Sequence, residues 1–132
     1  MDFLKPESWP RAPGFSWGVA ATGRLVFVAG QVGRDPAAPV DMPEGMAEQC
    51  AQAFRNLVEV LAVADAQPGH IAHMTWYVTD LEAYRAEGAA IGQGYKAVLG
   101  KHFPSMTMVQ VGALVDRSAQ VEIECIAVVP QA

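Results

Sequence analysis

Between Gly45 and Ala66 the apolar residues Met46, Cys50, Phe54, Leu57 and Leu61 recur at intervals of three and four. That spacing gathers side chains on one face of an α-helix. A stripe of this length has to be buried against something flat and apolar, and the chain supplies strands to build it. His70 to Val78 reads as one. Near the other end Val121, Ile123, Cys125 and Ala127 alternate with Glu122, Glu124, Ile126 and Val128, the period of a β-strand with two different faces.

The remaining punctuation completes an order. Residues 1–14 carry several prolines and read as an irregular N-terminal arm. Ser16 to Ala21 and Arg24 to Ala29, joined by Thr22-Gly23, read as a hairpin. Asp41-Met-Pro-Glu-Gly45 is expected to open the first helix, with Asp41 as its cap. Asp80 is placed to start a second helix reaching Leu99, whose interior glycines at 88, 92 and 94 weaken it. Ser105 to Leu114 and Ala119 to Val129 close the chain as strands. The order β-β-α-β-α-β-β predicts an α+β domain with two helices on one face of a mixed sheet. The other face then needs cover, because Ile126 and Val128 make it too apolar to be fully solvated. A homo-oligomer in which uncovered faces pack together answers that need.

Composition excludes several functions. A net charge of −5 and the absence of any basic run argue against a nucleic-acid binder that works by neutralising phosphates. Cys50 and Cys125 sit inside apolar patterns and read as small buried hydrophobes, not as a disulfide or zinc ligands. His70, His73 and His102 show no metal-ligand spacing, so no metal and no cofactor is expected. No triad arrangement accompanies Ser16. The first residues lack a signal-peptide pattern and no apolar run approaches the ~20 residues of a membrane span. A cytoplasmic protein of one domain over 1–132, without membrane partners, is the expectation.

Six stretches carry a family likeness: Pro13-Gly14, Leu25-Val-Phe-Val-Ala-Gly-Gln31, Glu48-Gln49 with Asn56-Leu57, Trp76-Tyr-Val-Thr-Asp80, Phe103-Pro104, and Val121-Glu-Ile-Glu-Cys-Ile-Ala127. In this order they make the chain resemble the YjgF/YER057c/UK114 family, also called RidA or endoribonuclease L-PSP-like. The resemblance implies a chorismate-mutase-like subunit, a homotrimer, and small-molecule clefts between subunits. It implies hydrolysis of reactive enamines and imines such as 2-aminoacrylate to keto acids and ammonia.

The chain departs from the family where substrate is held. The family's Pro-Ala-Arg-Ser motif, whose guanidinium clamps the substrate carboxylate, reads Pro104-Ser105-Met106-Thr107 here. Ser16 stands for a family tyrosine and Ala29 for a serine. Met106, Ser16, Trp17, Gly30 and Gln31 are therefore the candidate binding residues of a changed cleft. Trp17 would stack on a planar ligand or simply pack. Gln31 would meet a carbonyl or fix its own loop. Glu122 matches the family's water-orienting glutamate, and is the candidate general acid or base beside Met106; the alternative is an interface carboxylate. Arg34 is a candidate replacement for the lost clamp. Three functions stay open: a divergent enamine or imine deaminase not expected to process 2-aminoacrylate efficiently, a non-catalytic metabolite-binding trimer, and, least supported, a ribonuclease or translation inhibitor.

Overall fold

The computed structural model describes residues 1–38 and 41–131. It has the elements β1 (Asp2–Leu4), β2 (Gly18–Ala20), β3 (Arg24–Val32), α1 (Met46–Val63), β4 (Ile71–Val78), α2 (Leu81–Ala86), α3 (Gly88–Leu99), β5 (Ser105–Gln110) and β6 (Val121–Val129), with a short 3-10 turn at Pro68–His70. Four strands form one sheet in the order β3-β6-β4-β5. The first two pairings are antiparallel, whereas β4 and β5 run parallel, so the sheet is mixed as expected.

The N-terminal region differs from the sequence reading. β2 does not form a hairpin with β3; it pairs antiparallel with β1, Leu4 opposite Gly18 and Asp2 opposite Ala20. The arm is consequently not irregular throughout. Its fold has local causes: the Lys5 ammonium donates to the carbonyls of Pro6, Glu7 and Trp9 (3.2, 3.3 and 2.8 Å). The Trp17 indole donates to Pro10 O (2.8 Å), and its ring meets Trp9 and Phe15 edge-on. Ser16 is drawn to the β5 edge, its backbone N–H bonding Pro104 O (3.0 Å).

Two helix boundaries also move. α1 begins at Met46 after Gly45, not at Asp41, and no side chain of its own caps it. Instead the Glu87 carboxylate accepts from Ala47 N (3.3 Å), placing a negative charge at the helix N-terminus. Glu87 is the residue at which the expected second helix breaks into α2 and α3 (φ −108°, ψ 17°). Asp80 caps α2 as expected, accepting from Glu82 N (2.9 Å) and Ala83 N (3.2 Å).

The predicted stripe of α1 is buried, and lies on β3 and β6 with α3 beside it. Beneath it Val121, Ile123, Cys125 and Ala127 are buried, while Glu122, Glu124 and Ile126 remain half-exposed on the opposite face. Leu25 and Phe27 stand on that opposite face too, 57% and 69% exposed. Cys50 and Cys125 are buried free thiols, and burial pushes both up to about 12, so neither is a nucleophile near neutral pH.

Two buried polar side chains of α1 hold loops to this core. Asn56 donates to Val32 O and Arg34 O (3.1 and 2.8 Å). Gln49 donates to Pro43 O and Ser118 O (2.7 and 3.2 Å) and accepts from Gln120 N (2.8 Å). Gln49→Met keeps the volume and leaves three backbone groups without this partner. We expect a loss of about 2–4 kcal/mol in urea unfolding at fixed protein concentration, whereas exposed Glu48→Ala should change little.

Candidate functional site

A cavity of about 1150 Å³ opens on the helix-bearing side of the sheet, between the N-terminal arm, α3 and β5. Its position follows from the register of β5. Met106 and Met108 pair with Met74 and Trp76, so they face the helix layer and line the cavity. The helix α3 contributes Gly88, Ile91, Gly92, Tyr95 and Lys96, one face at helical spacing. At Gly88 and Gly92 an added Cβ would meet nothing within 4 Å, so the two glycines leave the space open. Aromatic rings give the cavity its walls. Trp76 and Tyr95 lie nearly parallel (6.5 Å, 16°), as do Tyr95 and Phe103 (5.4 Å, 11°). Trp76 Nε1 is buried without a partner among the described residues.

The arm is fastened across this cavity. Ser16 lines it, but its hydroxyl donates to Phe103 O (2.6 Å), so Ser16 ties the arm to β5. Trp17 also lines it, with its N–H already used by Pro10. Tyr95 O–H donates to His102 O (2.6 Å) and His102 Nε2 donates to Ile71 O (2.7 Å), which fixes the lower edge.

Glu122 lies elsewhere. It is opposite Tyr77 on β4 and Val32 on β3, on the sheet face away from the helices. Tyr77 O–H donates to Glu124 (2.7 Å), and this bond, with burial and the two glutamate charges, holds the phenol above its usual range. Glu122 itself has no hydrogen bond among the described residues. Gly30 is packed against it: a Cβ there would collide with the Glu122 carboxylate. Gln31 donates to Ala29 O (3.1 Å), fixing the irregular stretch of β3 between Val28 and Gln31.

The structure thus divides the candidate residues in two. Ser16, Trp17 and Met106 meet at the cavity, while Gly30 and Glu122 meet on the other side of the sheet; Gln31, opposite buried Ile123, joins neither group. The expectation that Glu122 sits beside Met106 fails within one chain: β4 separates their strands, and the two side chains face opposite ways. Within one copy Arg34 does not reach the cavity, and its guanidinium is held by both oxygens of Asp116 (3.0 and 3.3 Å). That pairing raises the guanidinium and lowers the carboxyl from their usual values, chiefly through the hydrogen bond. The sequence reading misses Tyr84 on α2 and Ile91, Gly92 and Lys96 on α3. For the α3 residues the helical spacing is the available signal, which an eye on the glycines as helix weakeners overlooks.

The chain is an α+β domain with an aromatic-walled cavity on one face of its mixed sheet and a partly apolar, exposed opposite face. The chain belongs to the Endoribonuclease L-PSP family, whose description matches residues 8–129. The 2-iminobutanoate/2-iminopropanoate deaminase of Rattus norvegicus is 31% identical over 105 residues, covering 80% of this chain and 73% of that protein. The Rid-family protein YyfB of Yersinia pestis superposes with a TM-score of 0.83 at 30% identity, covering 97% and 98% of the two chains. E. coli TdcF, solved with bound serine, gives 0.68 at 28% identity, covering 98% and 99%. No helix among the described residues is long and apolar enough to cross a membrane.

The contact between Gly30 and Glu122 makes a separable expectation. Gly30→Ala should swing the flexible Glu122 carboxylate aside while leaving the melting temperature within a few degrees. A crystal structure of the variant and a thermal melt check the two halves; an unmoved carboxylate would contradict the close fit.

Proposed function

We propose that the chain is a small-molecule-binding RidA-like protein that hydrolyses an enamine or imine in a cleft between subunits of a homotrimer, and that 2-aminoacrylate is a poor substrate for it. The observation that carries this reading is the Glu122 carboxylate, half-exposed beside Gly30 and without a hydrogen-bond partner among the described residues, on a sheet face that also exposes Phe27 and Leu25. Packing that face over the cavity mouth of a second copy buries both apolar side chains and brings a carboxylate to the ligand. Such a contact joins unlike surfaces, and with a three-fold rotation it closes as the ring of the proposed trimer. The named imine deaminases among the relatives support the chemistry.

The reaction needs little from the protein. Glu122 accepts a proton from water as the oxygen attacks the C=N carbon. It returns that proton to nitrogen to give the carbinolamine, then carries the hydroxyl proton to the same nitrogen, and ammonia leaves as the C=O bond forms. Imine and water become keto compound and ammonia, with no redox change and no cofactor in the scheme. Ser16, Trp17 and Met106 shape the bound ligand from one subunit, while Gly30 leaves room for the Glu122 carboxylate of the neighbour.

Met106 favours a second reading. With no guanidinium in this position, a charge-assisted pair that orients the substrate carboxylate is missing, and binding without turnover is what remains if orientation fails. A ribonuclease role has the least support, given the net charge of −5.

Imines released in situ discriminate these readings. 2-Aminoacrylate formed from serine by a dehydratase should decay no faster with the protein than without it. The imine released from phenylalanine by an amino-acid oxidase should be hydrolysed faster, and Glu122→Gln should lower that kcat by about 10²–10⁴-fold with unchanged sedimentation. Full activity in Glu122→Gln removes the proposed mechanism, and no acceleration with the second imine favours the binding protein.

A further inference from the structure

The cavity has a charge pattern opposite to that of the whole chain. The protein carries 9 Lys and Arg against 14 Asp and Glu. Among the described residues the cavity is lined by Lys5, Arg11, Lys96 and Lys101, and by no aspartate or glutamate. Lys5 is occupied by three carbonyls of the arm. Arg11, Lys96 and Lys101 are exposed, and their side chains make no hydrogen bond or ion pair with the described residues. Three unpaired cations therefore stand around one opening, and the field there attracts an anion despite the acidic chain.

The interior has a different character. Behind the cations are the nearly coplanar stack of Trp76, Tyr95 and Phe103 and the two methionines Met106 and Met108. Thioethers and ring faces receive flat, polarisable groups well and give a small hydrophilic acid nothing to bind. Where a guanidinium would reserve the interior for a carboxylate, Met106 leaves it apolar and moves the charge out to the rim. The volume of about 1150 Å³ is above the ~300–1,000 Å³ common for ligand clefts, ample for a ring system even after a neighbouring subunit covers the mouth.

We propose that this cavity selects aromatic carboxylates, with the ring system against Met106, Met108 and the aromatic stack and the carboxylate at the Arg11–Lys96–Lys101 rim. The assignment rests on the reading of this cavity as the ligand site and names its substrate class. As an enzyme the chain then acts on 2-imino acids of aromatic side chain, taking up water and releasing ammonia to leave the aryl 2-keto acid. The class of reaction that supplies such a substrate is the two-electron oxidation of an aromatic amino acid by an oxidase or dehydrogenase, or the dehydration of its β-hydroxy derivative.

Isothermal titration of the full chain with three probes tests this directly. Indole-3-acetate should bind at least ten-fold more tightly than pyruvate, which lacks the ring, and than indole-3-acetamide, which lacks the charge. The substitutions Arg11→Gln, Lys96→Gln and Lys101→Gln together should weaken indole-3-acetate about ten-fold and abolish its preference over the amide. Gly92→Leu fills the cavity from α3, where a Cβ meets nothing within 4 Å, and should abolish indole-3-acetate binding while its melting temperature stays the same or rises. Equal affinity for pyruvate or for the amide overturns the proposal, as does undiminished indole-3-acetate binding in a folded Gly92→Leu variant. The two layers fail separately: Glu122-dependent turnover without preference for the aromatic acid leaves the deaminase reading standing and removes this one. Selective indole-3-acetate binding without turnover does the reverse.

Discussion

The β3-β6-β4-β5 sheet has two faces, and among the described residues helices cover only one of them. On the covered face α1 buries its stripe over Val121, Ile123, Cys125 and Ala127. On the other, Phe27 is left 69% exposed, and burying a phenylalanine side chain is worth about 1.5–3 kcal/mol. The rest of the architecture depends on that imbalance. Strand alternation puts Glu122 on the uncovered face and Met106 under the helix layer, so the two halves of the proposed site lie on opposite sides of one sheet. A single copy presents both halves and joins neither.

The cavity is the complementary half, and it exists because α3 fails to fill the space beside the sheet. Tyr95 and Ile91 pack inward, while Gly88 and Gly92, one turn apart on the same side, contribute no side chain. Glycine in a helix interior costs about 1 kcal/mol relative to alanine, so an opening kept by two of them comes at the expense of local stability. The helix is held from elsewhere: Glu87 at its start satisfies the first turn of α1, and Tyr95 anchors to His102 O. The arm closes the opposite wall through Ser16 and Phe103.

Most of the fold was legible because it is written in periodicities. The 3-4 spacing from Met46 to Leu61 and the alternation from Val121 to Ala127 each describe a surface that packing had to honour. The misreadings fell where a distant partner decides the outcome. Thr22-Gly23 is a good local turn signal, but β2 is claimed by β1 across the Trp9–Trp17 contact. Asp41 is a good local cap, but the helix takes its carboxylate from Glu87. In the site, Met106 and Glu122 were recognisable as positions, yet their facing was not. That follows from which strand pairs with which, and the parallel register of β5 on β4 is a tertiary fact.

The account turns on a site whose halves come from different copies, and mixing two inactive variants tests it most directly. Gly92→Leu closes the cavity but keeps Glu122; Glu122→Gln keeps the cavity but removes the carboxylate. Refolded together in equal amounts, random assembly leaves about one quarter of the clefts with an intact cavity from one subunit and an intact glutamate from its neighbour. The account predicts that hydrolysis of the phenylalanine-derived imine returns to about a quarter of the wild-type rate. A mixture that assembles into the same oligomers and stays as inactive as its parents would contradict it.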